Sequence, residues 1–149
     1  MRACASAGGG FLLAVLWFDL MFDVQVIGHR DGELPEEVLA SISGYYRRVT
    51  TTARPMNRLI ALVMLATLAP IIAELLDEGT HAWVAWSSLA AAMTPIALAG
   101  ARTVPNAVRL GARRDPYMRQ STLARSICRQ HLFCAASIAA LLVLQLAFA

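Results

Sequence analysis

The chain has 149 residues, of which 58% are hydrophobic and only 15% are charged. Soluble domains usually carry about 25% charged residues, so this composition excludes an ordinary soluble domain and indicates an integral membrane protein. The formal net charge is +3, and all 13 basic residues are arginine. The length suits a single domain that occupies residues 1–149.

Four apolar segments have the length that a membrane-spanning helix needs, about 20 residues. They cover residues 11–27, 59–76, 82–101 and 132–149. None shows the two-residue alternation of a barrel strand. The sequence therefore predicts an all-α fold, an integral membrane four-helix bundle. The first segment is expected to stay as an anchor, because Asp19 and Asp23 interrupt it and no signal-peptide cleavage site follows.

The arginines predict how the bundle is oriented. Twelve of the 13 fall in or beside the first and third connections, and only Arg2 lies on the opposite side. Basic residues favour the cytoplasmic side of a membrane. We therefore expect an inner-membrane protein with both long connections in the cytoplasm and both termini outside. Topology and anionic lipid headgroups explain these charges, so nucleic acid is not an expected partner.

The first connection contains an amphipathic helix. Pro35 followed by two acidic residues is typical of a helix start. Val38, Ile42, Tyr45 and Val49 then recur at helical spacing and form one apolar stripe. We expect a connecting helix on the cytoplasmic side that either covers the base of the bundle or gates a pocket.

Acidic residues occur in two of the spans. Asp19 and Asp23 lie four residues apart in the first span and so share one helix face. An acid inside a bilayer normally faces the bundle interior and finds a partner there. Glu74 lies near the outer end of the second span, where simple exposure accounts for it.

Depth in the membrane predicts which polar groups meet. The residues expected to converge in the inner leaflet are Asp19, Asp23, Arg58, Arg102, Asn106, Arg129 and His131. Three interpretations remain open: structural Asp–Arg pairs, a small-molecule pocket with acid–base chemistry, and a metal site. The arginines disfavour a metal site of Asp19, Asp23 and His131 because they compete for the carboxylates, and these residues are not assigned as metal ligands.

In the pocket interpretation, Asp23 and His131 are the candidate catalytic pair. We expect them to approach each other with Arg129 or Arg102 alongside, because proton transfer needs both groups near one substrate. The remaining members of the cluster are candidate substrate-binding residues: Asp19, Arg58, Arg102, Asn106 and Arg129.

Several short motifs carry a resemblance to a known family: Leu34-Pro35, Pro105-Asn106, Asp115-Pro116-Tyr117 and Arg129-Gln130-His131. With them the chain resembles the small four-helix membrane proteins grouped with the anthrone-oxygenase-like domain, and their eukaryotic four-helix relatives. The resemblance implies a four-helix bundle and, in some members, oxidation of a hydrophobic aromatic substrate without an obvious cofactor. It carries over Pro105, Asn106, Arg129 and His131 as parts of a pocket.

Two functions from different classes follow from these patterns. The first is an oxidoreductase acting on a lipophilic aromatic or quinone-like compound in an inner-leaflet pocket. The second is a non-catalytic structural or accessory subunit of a larger membrane complex, which the small residues of the third span favour. The expected partners are membrane lipids, a hydrophobic small molecule, and another membrane protein or a second copy of the chain. No motif identifies a cofactor.

Overall fold

The computed structural model describes residues 2–29, 31–52, 54–76 and 81–148. Within these residues every regular element is helical. The α-helices are α1 (Arg2–Asp23), α2 (Glu36–Arg47), α3 (Arg54–Glu74), α4 (Ala82–Leu98), α5 (Val104–Ala112) and α6 (Tyr117–Ala147). A π-helical turn at 48–52 follows α2, and another at 99–103 joins α4 to α5 without a break.

In the part of the chain that the structure describes, four helical stretches are long and apolar enough to cross a membrane: Arg2–Val26, Asn57–Glu74, Ala82–Ala112 and Tyr117–Ala147. This confirms the predicted all-α four-helix bundle of a multi-pass membrane protein. Three of the stretches are longer than the predicted spans. Helix α1 begins well before Phe11 because the preceding run of small residues is also helical, and it buries Ala5 and Gly9.

The spanning helices pack antiparallel in a ring in which α1 contacts α3 and α6, and α4 contacts the same two helices. Gly9 near the start of α1 lies against Leu142 of α6, whereas Asp23 at its end meets His131. We call the end with α2 and α5 the connection end, and the end with both termini the terminal end. The connection at residues 77–80 lies outside the described residues.

Helix α2 covers the connection end of the bundle. It starts after Pro35 with Glu36 in its first turn, as predicted. Ile42 of the predicted stripe is fully buried, and its other members are partly buried against the same apolar core. The amphipathic pattern thus identified the packed face of this helix.

Helices α2 and α5 approach each other closely enough that their backbones touch. A Cβ atom at Gly111 would lie 2.7 Å from the backbone nitrogen of Arg47, closer than non-bonded atoms pack, so only glycine fits. Beyond this contact, Arg113 donates to both carboxylate oxygens of Glu36 at 2.8 Å. These interactions fix α2 against the end of α5.

The segment between α1 and α2 is tied to the start of α6. The backbone N–H of Leu34 donates to the Ser121 hydroxyl at 3.0 Å, and the Tyr117 hydroxyl donates to the Leu34 carbonyl at 2.8 Å. Arg125 also donates to the carbonyl of His29 at 2.9 Å. Side chains of α6 therefore satisfy the backbone of an irregular segment and set where α2 begins.

Candidate functional site

Asp23 is the centre of a buried polar cluster at the connection end. It is the last residue of α1 and its exposure is 0%. Its two carboxylate oxygens accept separate hydrogen bonds, Oδ1 from the Tyr46 hydroxyl and Oδ2 from His131 Nδ1, both at 2.6 Å. Such short bonds are typical of a charged acceptor. Both oxygens of this buried acid are therefore satisfied.

His131 lies on α6 with its two ring nitrogens in different surroundings. Nδ1 carries a hydrogen toward Asp23, because a carboxylate only accepts. The hydroxyl oxygen of Tyr46 is also near Nδ1, at 3.3 Å. Nε2 lies 3.9 Å from Asp19 Oδ2, beyond hydrogen-bond distance. The bond to Asp23 therefore orients the ring and leaves Nε2 available.

Helix α2 supplies two adjacent tyrosines to the cluster. Tyr45 donates to Asp19 Oδ1 at 2.7 Å and stacks on Phe22, with ring centroids 4.2 Å apart. Burial raises the pKa of Tyr45, with the Asp19 charge adding to the effect. Burial and the Asp23 charge likewise raise the pKa of Tyr46. Both phenols therefore keep their protons and act as hydrogen-bond donors.

A cavity of about 740 Å³ begins at this cluster and extends between the spanning helices. Its walls are mostly apolar, and its polar side chains include Asp19, Tyr45, Tyr46 and His131. Asp23 does not line it and lies behind His131. A volume of several hundred Å³ with few convergent polar groups is typical of a small-molecule site.

The cavity reaches the outer surface of the bundle. Phe18, Val104 and Val108 belong to its lining and are respectively 61%, 53% and 48% exposed. These side chains are apolar, as the surface of a spanning helix must be in lipid. The cavity thus has an apolar lateral mouth.

The geometry suits proton transfer to or from a hydroxyl group of a bound molecule. A hydroxyl oxygen about 2.8 Å from both His131 Nε2 and Asp19 Oδ2 fits between two atoms 3.9 Å apart. Asp23 would then act through His131, since it holds the imidazole in one tautomer and stabilises its charged form. In such a reaction His131 would exchange the proton, and Asp23 would position the imidazole.

Four members of the predicted cluster do not join it. Arg58, Arg102 and Arg129 are exposed, Asn106 is half-buried, and none of the four lines the cavity. The expected Asp–Arg pairs are absent among the described side chains, where the ion-pair partner of both acids is His131. Similar depth in the membrane was not sufficient to bring these residues to Asp23, because their side chains face away from the cluster.

The rotation of each helix explains the difference. Arg129 precedes His131 by two residues, which is about 200° around an α-helix, so the two side chains point to nearly opposite sides. Arg102 lies in the π-helical turn at 99–103, and the extra residue in such a turn changes which face follows it. Asn57 lines the cavity instead of its neighbour Arg58.

The metal interpretation gains no support from the described residues. They contain no group of three or more His, Cys, Asp or Glu side chains arranged to hold a metal ion. Tyr46 and His131 already occupy both oxygens of Asp23. Hydrogen bonding of Asp23 to Tyr46 and His131 is a simpler account of this cluster than metal binding.

Tyr45 and Tyr46 are members of the site that the sequence patterns did not identify. The sequence signal for them was that two adjacent tyrosines occur on the packed side of an amphipathic helix, where both side chains can reach the bundle.

Comparison of the chain with protein-family models, with curated proteins and with solved structures finds no match.

Proposed function

We propose that this protein is a small membrane enzyme that binds a lipophilic aromatic or quinone-like compound in its lateral cavity. The observation that carries the proposal is that His131 and Asp19 line one end of a cavity whose walls are mostly apolar. An apolar ring or chain fills the walls, and a hydroxyl or carbonyl group meets the polar end. A ligand with one polar edge requires this combination of apolar walls and one polar end.

In this proposal His131 takes a proton from a hydroxyl of the bound compound, or returns one to a carbonyl oxygen. Asp23 stabilises the imidazolium through the 2.6 Å bond to Nδ1. Tyr45 holds Asp19 in place through the 2.7 Å bond to its Oδ1. Assignment to the oxidoreductases rests on the resemblance to the anthrone-oxygenase-like family, because these side chains account for proton transfer only.

Binding in the cavity can be tested by filling it. Met64 lines the cavity, whereas Leu62 on the same helix is exposed. Met64→Trp should weaken binding of a short-chain alkyl hydroquinone at least about tenfold, the effect of losing roughly 1.4 kcal/mol. Titration calorimetry on the detergent-solubilised protein measures this, with Leu62→Trp as the matched control. Equal affinities of the two variants would contradict a ligand in this cavity.

Proton transfer needs a second variant. His131→Asn keeps an amide N–H near the position of Nδ1, so the bond to Asp23 can persist while Nε2 is lost. We expect normal assembly and binding with loss of turnover, because the asparagine amide cannot exchange a proton near neutral pH. Loss of assembly in His131→Asn would indicate a structural clamp between α1 and α6 instead.

A non-catalytic subunit is the second candidate. Ser87, Ala90, Thr94 and Ala97 of α4 are all exposed and follow one another at helical spacing. Small side chains let two helices approach closely in lipid, so this stripe suits a helix of another membrane protein or of a second copy. Ala90→Leu should then disrupt co-purification of the partner in mild detergent without changing ligand binding.

The proposed location is the inner membrane, with the connection end of the bundle facing the cytoplasm. The support is the 12-to-1 division of the arginines and the positive-inside rule. Cysteines introduced at Gly79 and Ala112, in a background without Cys4, test it with a membrane-impermeant maleimide. Labelling at position 79 and not at 112 in intact cells is expected, and the reverse pattern would invert the topology.

A further inference from the structure

A second buried polar cluster lies at the terminal end of the bundle, away from the cavity. Gln145 Nε2 donates to Glu74 Oε2 at 2.9 Å and to the Ser88 hydroxyl at 3.1 Å. The three side chains are 3%, 2% and 0% exposed, respectively. Glu74 was expected to be exposed, and this expectation is wrong because the side chain turns inward between α4 and α6.

The cluster contains more acceptors than donors. Glu74 Oε1 and Gln145 Oε1 are both buried and have no hydrogen-bond partner in the described structure. A buried oxygen without a partner loses the hydrogen bonds that it makes in water, and the penalty is larger when it carries charge. Two such oxygens on hydrogen-bonded side chains leave acceptor capacity that a positively charged group can satisfy.

The surrounding backbone adds to the negative potential. Glu74 is the last residue of α3, and Gln145 lies in the last turn of α6. The C-terminal end of a helix carries a partial negative charge and favours a cation. A carboxylate is therefore unfavourable at this position unless positive charge accompanies it.

No basic side chain among the described residues supplies that charge. The other titratable groups that the structure describes at this end are Arg2, Cys4 and His81, which are all exposed, and the ion pairs found elsewhere in the described chain do not include Glu74. An isolated carboxylate this deeply buried is strongly unfavourable. A cation from solution can supply the charge that the described side chains do not.

We propose that Glu74, Gln145 and Ser88 form a binding site for one monovalent alkali-metal ion. Glu74 supplies the charge, the Gln145 carbonyl a neutral oxygen ligand, and the Ser88 hydroxyl a third oxygen. Oxygen donors of this kind suit hard cations. A single carboxylate matches a single positive charge.

Thermal unfolding in detergent tests the site. The wild-type protein and Glu74→Gln are compared in sodium, potassium and N-methyl-D-glucamine chloride at equal ionic strength, and across a range of pH. A ligand that binds only the folded state raises the Tm with its concentration. A sodium- or potassium-dependent rise in the wild type alone supports an alkali-metal ion. A rise on acidification with no dependence on sodium or potassium would overturn the proposal.

The matched control is Glu37→Gln, which neutralises an exposed acid on α2 and should respond as the wild type does. Ser88→Ala keeps the carboxylate and should raise the apparent Kd about tenfold, the effect of losing one ligand worth roughly 1.4 kcal/mol; it keeps the test available if Glu74→Gln does not fold. Identical responses of wild type, Ser88→Ala and every folded Glu74 variant to cations and to pH would overturn the proposal.

Discussion

Removal of the Asp23 side chain is the most informative perturbation of the candidate site. In Asp23→Ala, the Tyr46 hydroxyl and His131 Nδ1 both lose an acceptor at 2.6 Å. Each buried donor left unpaired costs about 1–3 kcal/mol, or roughly 2–6 kcal/mol together. Tyr46 and His131 are 3.3 Å apart and can bond each other, which recovers about 1 kcal/mol.

Hydrogen bonds between membrane helices average only about 0.6 kcal/mol. The smallest loss of stability expected from removing two such bonds is therefore about 1 kcal/mol. We therefore expect Asp23→Ala to lower the free energy of unfolding by about 3 kcal/mol. For a chain of this size 1 kcal/mol shifts the Tm by roughly 2–4 °C. The expected loss is about 6–12 °C, measured by intrinsic fluorescence in a fixed detergent.

Asp19→Ala is the comparison. Asp19 is half-buried and accepts one hydrogen bond, from Tyr45, and water can replace it at the cavity. We expect a loss of about 1 kcal/mol, or roughly 2–4 °C. If Asp23→Ala and Asp19→Ala unfold at the same temperature, Asp23 does not hold α1, α2 and α6 together, and the account of the site is refuted.

Three further changes have defined outcomes. Gly111→Ala should destabilise the protein by about 1–3 kcal/mol, because its Cβ would lie 2.7 Å from the α2 backbone. Arg113→Ala should lower the Tm at neutral pH but not in acid. The hydrogen bond from Arg113 lowers the pKa of Glu36, so this stabilisation is complete above about pH 4.3 and is lost as the pH falls through the lowered pKa. Tyr117→Phe removes the bond to the Leu34 carbonyl and should speed amide hydrogen exchange between α1 and α2.

Each of these changes has its own control. Gly44→Ala on α2 meets open space and should stabilise its helix slightly, so equal effects of both glycine substitutions would contradict the close α2–α5 contact. Arg114→Ala removes an exposed arginine and should show no change between neutral and acidic pH. Unchanged exchange in Tyr117→Phe would mean that Ser121 and Arg125 hold the segment without Tyr117.

Much of the fold could be predicted from hydropathy because each span had to satisfy its own backbone in lipid. The inward direction of Asp19 and Asp23 followed from the cost of exposing acids to acyl chains. Proximity of Asp23 to His131 followed from depth, since α1 and α6 run in opposite directions. Their catalytic role stays a prediction.

The rest depended on rotation about the helix axes, which depth does not determine. The arginines were expected beside Asp23 because they share its depth, but two tyrosines of α2 reach it instead. Glu74 shows the same limit at the other end of the bundle: its position near a helix end suggested exposure, and its direction buries it. Neither the π-helical turn near Arg102 nor these rotations has a signal in the hydropathy pattern.

Because the mouth of the cavity is lateral, the concentration of a ligand that matters for binding is its concentration in the membrane. Phe18, Val104 and Val108 border it and are exposed on the surface that lipid covers. A compound that passes between them arrives from the bilayer, so occupancy of the site follows its mole fraction in the membrane. Inert lipid added at constant total compound then dilutes the ligand and lowers occupancy. For the proposed ligand, apparent affinity in water would therefore combine partition into the bilayer with the intrinsic affinity of the cavity.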